Sequence, residues 1–342
     1  MNTVRQESTD GFSRRRFLAA VSALGVTSAL GIPRIAATAP SLETTKIRLV
    51  LTTGICLAPQ YIAEELLRSE GFTHIEYVKL VSETGSSAVA AGRADFSMWD
   101  LPGTIPLLDE GRPIAVLAGV HSGCWDLIGN ERVQSIRDLR GKTVAVYAIG
   151  GGDQILLSSM LAYVGVDPQK DIKWVASSTL ADNMRLFEEG KADAFMAFEP
   201  QQQELREKKI GRLIVNTAID RPWWQYFCCM LYGNRGFVNK NPVATKRAMR
   251  AILKSIDACA QDPERAARLI VDKGFSPRYD FAVRALKAIP YNVWRTYDPE
   301  TTLRFHTLRL REVGMLKSTP NDFIARHADW RFLNELKQEL KA

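Results

Sequence analysis

The chain has 342 residues, of which 46% are hydrophobic, 9% are aromatic and 24% are charged. This composition excludes a disordered or collagen-like chain. Five cysteines in a chain of this length also exclude a fold that depends on a dense set of disulfides. The formal net charge is +7, but the first 39 residues hold five arginines and two acids, so the remainder carries +4 without a block of Lys or Arg. We therefore expect no nucleic-acid partner.

Residues 1–39 are predicted to be an export signal. The arginines Arg14–Arg16 precede Phe17, and a mildly apolar stretch then runs over residues 18–32. This order is typical of a signal peptide, and adjacent arginines followed by Phe-Leu resemble the twin-arginine type. The apolar stretch is shorter than the roughly 20 residues that span a bilayer. We expect the signal to be removed and the mature protein to be periplasmic.

A repeated unit follows the signal. Residues 46–100 and 142–199 both predict the order strand, helix, strand, helix, strand, and they close on the similar turns 92–96 and 190–195. Strands that alternate with helices specify parallel sheets covered by helices. The predicted fold class is therefore α/β, with two similar lobes whose parallel-type sheets are flanked by helices.

The C-terminal third is predicted to be helical. Pro242, Pro263 and Pro299 each follow an Asn or Asp, and this pair of residues is typical of the first positions of a helix. We expect this helical tail to pack on the first lobe, which makes that lobe discontinuous. The predicted organisation is lobe 1 over 46–126 plus 232–342, lobe 2 over 127–231, and a hinge near 127–132 and 230–234.

Ligands of open parallel sheets bind beyond the carboxyl ends of the strands, so the candidate site is the cleft between the lobes. Glycine-rich and hydroxyl-rich loops that begin helices could hold an anion with backbone N–H groups, while aromatic and acidic residues at strand ends could hold other ligand groups. The candidate ligand-binding residues are Thr53, Gly54, Cys56, Thr84, Gly85, Ser86, Trp99, Asp100, His121, Gly151, Gly152, Asp153, Phe198, Glu199, Trp223 and Trp224.

Two acids among these candidates favour a cationic or amino-bearing ligand. Asp100 and Glu199 follow Trp99 and Phe198 at matching positions of the repeat, so a flat ligand could stack on an aromatic ring while a carboxylate binds its amine. The alternative is structural: Asp100 could cap the turn before Pro102, and the glycines and hydroxyls could be ordinary cap residues. The ligand therefore stays open between a sulfonate, a carboxylate and an amino or heteroaromatic compound.

The five cysteines and four histidines show neither CxxC nor HExxH spacing. We therefore expect no metal site, no cofactor and no catalytic residue. The odd number of cysteines leaves at least one thiol free, or all five buried and reduced.

Specific segments carry a family resemblance. The run Ser135–Val144, which reads Ser-Ile-Arg-Asp-Leu-Arg-Gly-Lys-Thr-Val, lies between the Gly-Arg-Ala-Asp turn at 92–95 and the Gly-Lys-Ala-Asp turn at 190–193. Together they resemble periplasmic solute-binding proteins of the nitrate/sulfonate/taurine and thiamine-pyrimidine-like group. The resemblance implies a type II two-lobed protein that closes on a small molecule and delivers it to the membrane permease of an ABC importer.

The resemblance also leaves alternatives open. We expect a monomeric binding protein and not an enzyme, because the cytosolic relatives that make thiamine pyrimidine have a cysteine-rich motif that Cys228-Cys229 alone does not reproduce. One alternative is a periplasmic ligand-sensing subunit, and a second is an enzyme related to thiamine-pyrimidine synthesis.

Overall fold

The computed structural model describes residues 40–52, 54–81, 83–177 and 179–341. The predicted signal over 1–39 lies outside these residues, whereas residues 42–342 form one compact unit. In the described ranges, none of the helices has both the length and the apolar character needed to cross a bilayer.

In the described residues, ten strands form two five-stranded sheets. The strands are β1 (Lys46–Leu51), β2 (His74–Lys79), β3 (Phe96–Asp100), β4 (Ile114–Ser122), β5 (Asp126–Gly129), β6 (Thr143–Val146), β7 (Lys173–Ala176), β8 (Ala194–Ala197), β9 (Arg212–Asn216) and β10 (Phe227–Asn234). The first sheet has the order β2-β1-β3-β10-β4 and the second has the order β7-β6-β8-β5-β9. The predicted α/β architecture with two similar sheets is confirmed.

The sheets are mixed rather than wholly parallel. In the first sheet β10 runs antiparallel to both β3 and β4, and in the second β5 runs antiparallel to both β8 and β9. The physical reason is the connectivity: β5 and β10 are the strands by which the chain enters each sheet from the other. The chain passes from one sheet to the other at 123–125 and at 217–226, and the hinge near 127–132 and 230–234 stays a prediction.

Fourteen α-helices lie in the described residues. They are α1 (Ala58–Ile62), α2 (Glu64–Ser69), α3 (Gly85–Ala90), α4 (Leu101–Asp109), α5 (Gly152–Tyr163), α6 (Leu180–Glu188), α7 (Gln201–Lys208), α8 (Arg235–Lys240), α9 (Pro242–Gln261), α10 (Pro263–Asp272), α11 (Tyr279–Ala288), α12 (Pro299–Glu312), α13 (Pro320–His327) and α14 (Arg331–Glu339). The three helices predicted to start at proline are confirmed as α9, α10 and α12. Asp262 and Asp298 cap the last two by accepting backbone N–H bonds.

The C-terminal helices cover the first sheet and also touch the second lobe. Every residue of β4 is buried although β4 is an edge strand, because α13, α14 and a 3-10 turn at Tyr291–Arg295 pack on it. In addition, α12 packs against α5, which follows β6 of the second sheet. The tail therefore contacts elements of both sheets.

Candidate functional site

The carboxyl ends of the parallel strands in the two sheets lie next to the crossings. In the first sheet, β3 ends at Asp100, β4 ends at Ser122, and β10 begins beside them, with Cys229 opposite both Asp100 and His121. In the second sheet, Asp126 at the start of β5 pairs with the last residues of β8 and β9. The segment 121–126 therefore joins the two strand edges at which a ligand site is expected.

The two lobes touch through Asp100 and the beginning of α5. Asp100 caps α4, and its Oδ1 accepts the Gly103 N–H at 2.6 Å. A Cβ atom on Gly152 would overlap the same oxygen, so only glycine permits this approach. Burial raises the pKa of Asp100 to about 7. Asp100 is thus a helix cap and an inter-lobe contact at once.

This contact yields a first prediction. Gly152→Ala places a methyl group against a carboxylate that the cap holds in place, so we expect the free energy of unfolding to fall by about 1–3 kcal/mol, as overpacking usually does. Chemical denaturation measures this change. The double variant Asp100→Ser with Gly152→Ala keeps a capping hydroxyl but removes the obstruction, so it should recover most of the loss. Equal instability of the single and double variants would contradict the contact.

Four of the five cysteines gather around His121. The ligand atoms of Cys56, His121, Cys124 and Cys229 all lie within 4.8 Å of one another, and all four side chains are buried. Cys228 joins them, with its Sγ 2.9 Å from Cys124 Sγ and 4.0 Å from Cys229 Sγ. Hydrogen bonds from Cys124 and Cys229 hold the pKa of the Cys56 thiol well below its ordinary value. Three thiols and one imidazole in this arrangement could hold a metal ion.

The surroundings of the cluster fix the orientation of two of its members. His121 Nδ1 lies 3.2 Å from the carbonyl oxygen of Ser122, and its other ring nitrogen, Nε2, is buried without a partner among the described residues. Tyr291, from the C-terminal tail, donates its hydroxyl to the Cys56 carbonyl at 2.8 Å and packs edge-on against the His121 ring. The loop after β1 and the end of β4 are therefore held in place from the same side.

A second polar group lies on the side of the second sheet. Arg206 Nη2 lies 2.9 Å from Asp126 Oδ2, and its Nη1 lies 3.8 Å from Glu199 Oε1. Glu199 also accepts a hydrogen bond from Gln203 at 2.8 Å. Burial raises the pKa of Asp126 to about 7 and raises that of Glu199, although Arg206 and Gln203 oppose these shifts. One arginine thus neutralises part of the charge of two buried acids.

Unpartnered polar atoms are concentrated around the crossing. In the part of the chain that the structure describes, such buried atoms at this place are His121 Nε2, Ser122 Oγ, Trp125 Nε1, Asp126 Oδ1 and Glu199 Oε2. Buried polar atoms are nearly always hydrogen-bonded in proteins, so a set of them on adjacent segments indicates a place for a polar ligand or water. The set offers acceptors as well as donors.

Aromatic side chains line a small cavity beside the crossing, and further aromatic rings pack against them. Trp125 packs edge-on against Phe198, with 4.8 Å between the ring centroids, and Trp223 packs edge-on against Tyr163, with 5.3 Å between the ring centroids. The cavity has a volume of about 20 Å³, enough for about one water molecule. It is lined by Pro102, Gly123, Trp125, Leu156, Thr217, Trp223, Tyr226, Phe227, Cys228 and His306.

Several predicted site residues have structural partners at the first-lobe helix α3. Thr84 caps α3 by accepting the Ser87 N–H at 3.1 Å, and Ser86 bonds the buried Thr104 hydroxyl at 2.5 Å. The ring of Trp99 packs so closely on Gly85 that a Cβ there would lie 2.6 Å from it. These contacts fit the capping alternative that the sequence left open.

The other predicted residues are distributed around the crossing or away from it. Asp153 is buried and accepts the Tyr147 and Gln154 N–H groups, which shapes the loop before α5. Gly151 and Gly152 begin α5, and Gly54 precedes a 3-10 turn at Ile55–Leu57. Trp224 packs on Tyr297, away from the cavity lining, and Thr53 lies outside the described residues.

Sequence reasoning missed the thiol cluster and the role of Asp126 and Arg206. The ligand atoms of the cluster come from the loop after β1, the end of β4, the first crossing and the start of β10, so the usual metal-binding spacings are absent. The expectation of no metal site rested on those spacings and did not anticipate this grouping. The grouping depends on the antiparallel pairing of β10 with β3 and β4, which no local pattern in the sequence indicates.

Comparisons with solved structures agree with this fold. The periplasmic nitrate-binding protein NrtA from Synechocystis PCC 6803 superposes with a TM-score of 0.71 at 17% identity, over 88% of this chain and 90% of that one. The periplasmic aliphatic sulphonate binding protein SsuA from Escherichia coli superposes with a TM-score of 0.62 at 16% identity, over 82% of this chain and 91% of that one. At these identities the similarity concerns the fold, which is that of periplasmic binding proteins.

Sequence comparisons point to a broader family. The chain is 26% identical over 204 residues to the yeast (Saccharomyces cerevisiae) protein named 4-amino-5-hydroxymethyl-2-methylpyrimidine phosphate synthase THI12, a match that covers 56% of this chain and 58% of that protein. The chain thus matches somewhat more than half the length of this relative. A family model described as NMT1/THI5 like matches residues 75–266, which is more than half of the chain. The chain therefore belongs to the NMT1/THI5 like family.

Proposed function

We propose that this protein is the extracytoplasmic solute-binding component of an ABC importer, which captures a small organic molecule between its two lobes and presents it to the membrane permease. The proposal is one of binding and not of catalysis. The observation that carries it is the set of unpartnered buried polar atoms at the first crossing and the end of β8, on Ser122, Trp125, Asp126 and Glu199. Contacts from both lobes would then favour the closed state when ligand is present.

The chemistry of this set favours a ligand that carries an amino or other cationic group. Glu199 Oε2 and Asp126 Oδ1 are buried acceptors without a partner among the described residues, and the nearby rings of Trp125 and Phe198 could pack on a flat ligand. Arg206 already neutralises part of the acid charge, so a ligand that also carries an anionic group is compatible with the site. An amino-substituted heteroaromatic compound or a zwitterion fits both features.

A screen by thermal shift and calorimetry tests the binding role. The purified protein is mixed with nitrate, aliphatic sulfonates, carboxylates, aminopyrimidines and amino-bearing aromatic acids. We expect at least one compound of the amino-bearing classes to raise the unfolding temperature, because a ligand that binds only the folded chain stabilises it. Absence of binding combined with turnover of one compound would contradict the proposal. Uptake of the identified ligand by cells with and without the gene then separates import from ligand sensing.

Glu199→Gln tests the role of the acid directly. We expect it to weaken an amino-bearing ligand by about tenfold or more, which corresponds to the loss of one charge-assisted hydrogen bond. The matched control is Glu204→Gln on the same helix region, because Glu204 is partly exposed and pairs with Lys208. Unchanged affinity in Glu199→Gln, measured by calorimetry, would show that Glu199 has a purely structural role.

A second candidate function is catalysis related to pyrimidine synthesis. It is favoured by the synthase name of the yeast relative together with the buried thiols beside His121. Because the matched region covers 58% of that relative, its activity is carried over only as a candidate. Mass spectrometry of each screened compound after incubation distinguishes the two functions: a binder returns its ligand unchanged.

A further inference from the structure

The cluster Cys56, His121, Cys124 and Cys229 has the composition of a closed metal site. Soft thiolates and imidazole are the ligands that Zn²⁺ and Cu⁺ prefer, and three thiolates with one imidazole form a common tetrahedral Zn²⁺ set. Ligand atoms of such a site lie about 3.5–3.8 Å apart, given metal–sulfur and metal–nitrogen distances of about 2.3 and 2.0 Å. All four ligand atoms here lie within 4.8 Å of one another, so a contraction of about 1 Å closes the site.

A second, independent observation is the state of the His121 ring. Its Nδ1 lies in hydrogen-bond distance of the Ser122 carbonyl, while Nε2 is fully buried and has no partner among the described residues. Histidines that bind metals almost always donate the other ring N–H to a carbonyl or carboxylate, which fixes the tautomer and aims the free nitrogen at the ion. The His121 ring has the first part of this arrangement, with Nδ1 beside a carbonyl oxygen and Nε2 left free for an ion.

The neighbours of the cluster also resemble an outer coordination shell. Tyr291 holds the Cys56 carbonyl and packs on the His121 ring, so two of the four ligands are positioned by one residue of the C-terminal tail. Cys228 lies beside Cys124 and offers a fifth sulfur within the same buried group. All four ligands are buried, which is typical of structural rather than catalytic metal sites.

We propose that Cys56, His121, Cys124 and Cys229 bind one thiophilic d¹⁰ cation, Zn²⁺ or Cu⁺. Because the ligands come from the loop after β1, the end of β4, the first crossing and β10, the ion fastens the crossing to the first sheet. This inference is independent of the proposed function, since a solute-binding protein and an enzyme could both contain it. Ligand binding and metal binding can therefore succeed or fail separately.

The test measures metal content in the reduced full-length protein. The purified chain is stripped with a chelator, reduced, and titrated with Zn²⁺ or with Cu⁺ under anaerobic conditions, and bound metal is measured by elemental mass spectrometry. We expect one equivalent per chain with at least one of the two ions, and a rise of the unfolding temperature on loading. Cys56→Ala and Cys229→Ala should each lower the bound metal at least tenfold.

Cys259→Ala is the matched control, because Cys259 is also buried but lies in α9 outside the cluster. It should retain one equivalent of metal. The proposal is overturned if the reduced wild-type chain binds less than a tenth of an equivalent of both ions, or if Cys259→Ala loses metal as Cys56→Ala does. It is overturned equally by a chain that is isolated with a Cys124–Cys228 disulfide and takes up no metal after reduction.

A spectroscopic measurement keeps the test valid if the alanine variants fail to fold. The wild-type chain is loaded with Co²⁺, which reports on thiolate coordination by intense visible bands and a near-ultraviolet sulfur-to-cobalt band. We expect both features, because a tetrahedral site with three thiolates produces them. Weak bands typical of six-coordinate cobalt would overturn the proposal without any mutant.

Discussion

Arg206→Met is expected to lower the free energy of unfolding by about 2–4 kcal/mol, because it leaves buried carboxylates without their partner. The side chains of Asp126 and Glu199 are 2% and 3% exposed, while that of Arg206 is 46% exposed. The expected loss lies toward the lower part of the range for a fully buried pair, since solvent screens the exposed guanidinium. Urea denaturation at pH 7.5 measures the change.

The loss should also depend on pH, in a direction that follows from the pKa of Asp126. Burial raises this pKa to about 7, and Arg206 limits the rise. An acid whose pKa is higher in the folded than in the unfolded state lowers the free energy of unfolding as pH rises from the unfolded pKa to the folded pKa. Without Arg206 the pKa of Asp126 rises further, so the difference between variant and wild type grows from pH 5 to pH 8. The difference should be smallest at pH 5, where Asp126 is protonated in the folded state of both proteins.

Two further variants distinguish this explanation from loss of packing. Adding Asp126→Asn to Arg206→Met removes the nearer of the two uncompensated charges and leaves Glu199, so the double variant should regain part of the stability and lose part of the pH dependence. Arg185→Met is a control on α6, since Arg185 pairs with Asp182 and Glu189 at the surface and its removal should leave the stability unchanged within error. A pH-independent loss in Arg206→Met would assign the effect to the packing of its aliphatic stem.

Much of the fold follows from local patterns in the sequence. The order strand, helix, strand, helix, strand that was predicted for 46–100 and 142–199 is present, with β1, β2 and β3 in the first unit and β6, β7 and β8 in the second, because apolar alternation and glycine turns are local properties. The antiparallel strands β5 and β10 could not be oriented in this way. Their direction depends on which sheet the chain enters after a crossing, and that is set by contacts between residues distant in the sequence, such as Asp100 and Cys229, which lie more than 100 positions apart.

The candidate site was predictable in outline and not in detail. Strand ends were expected to meet, and Cys56, Asp100 and His121 were selected on that ground. The thiols of Cys124 and Cys229 were not, because metal-site spacing rules assume ligands on one or two segments, whereas this cluster uses four. Asp126 was not predicted as a site residue for a related reason. It begins a short buried strand, and its importance at the crossing depends on its pairing with Arg206, which is distant in the sequence.

A pH-dependent loss of stability is expected from His306, which lies where the C-terminal tail meets the second lobe. His306 is part of α12, its Nδ1 lies 2.9 Å from the Ser159 hydroxyl on α5, and its ring packs edge-on against Phe305. Burial lowers the pKa of His306 to about 3. The folded protein therefore holds this ring neutral across a pH interval in which the unfolded chain binds a proton.

The sign of the effect follows from the proton balance. Below the unfolded pKa of about 6.5 the unfolded state gains a proton that the folded state lacks, so stability falls as pH decreases. The slope approaches about 1.4 kcal/mol per pH unit for one histidine, which gives a loss of about 3 kcal/mol between pH 6.5 and pH 4. Buried Asp100 and Asp126, whose pKa values are raised to about 7, change stability in the opposite direction over the same interval, so the contribution of His306 is measured as the difference between a variant and the wild type.

His306→Gln isolates the contribution, because the amide can still reach the Ser159 hydroxyl but does not titrate. We expect this variant to be less stable than wild type at pH 7.5, since glutamine fills the site less well, and the difference should shrink or reverse as pH falls to 4. The control is His74→Gln, which changes an exposed histidine at the start of β2 and should follow the wild-type curve. Parallel curves for wild type and His306→Gln from pH 7.5 to pH 4, measured by urea denaturation, would show that His306 is protonated within the fold and that the lobes accommodate its charge.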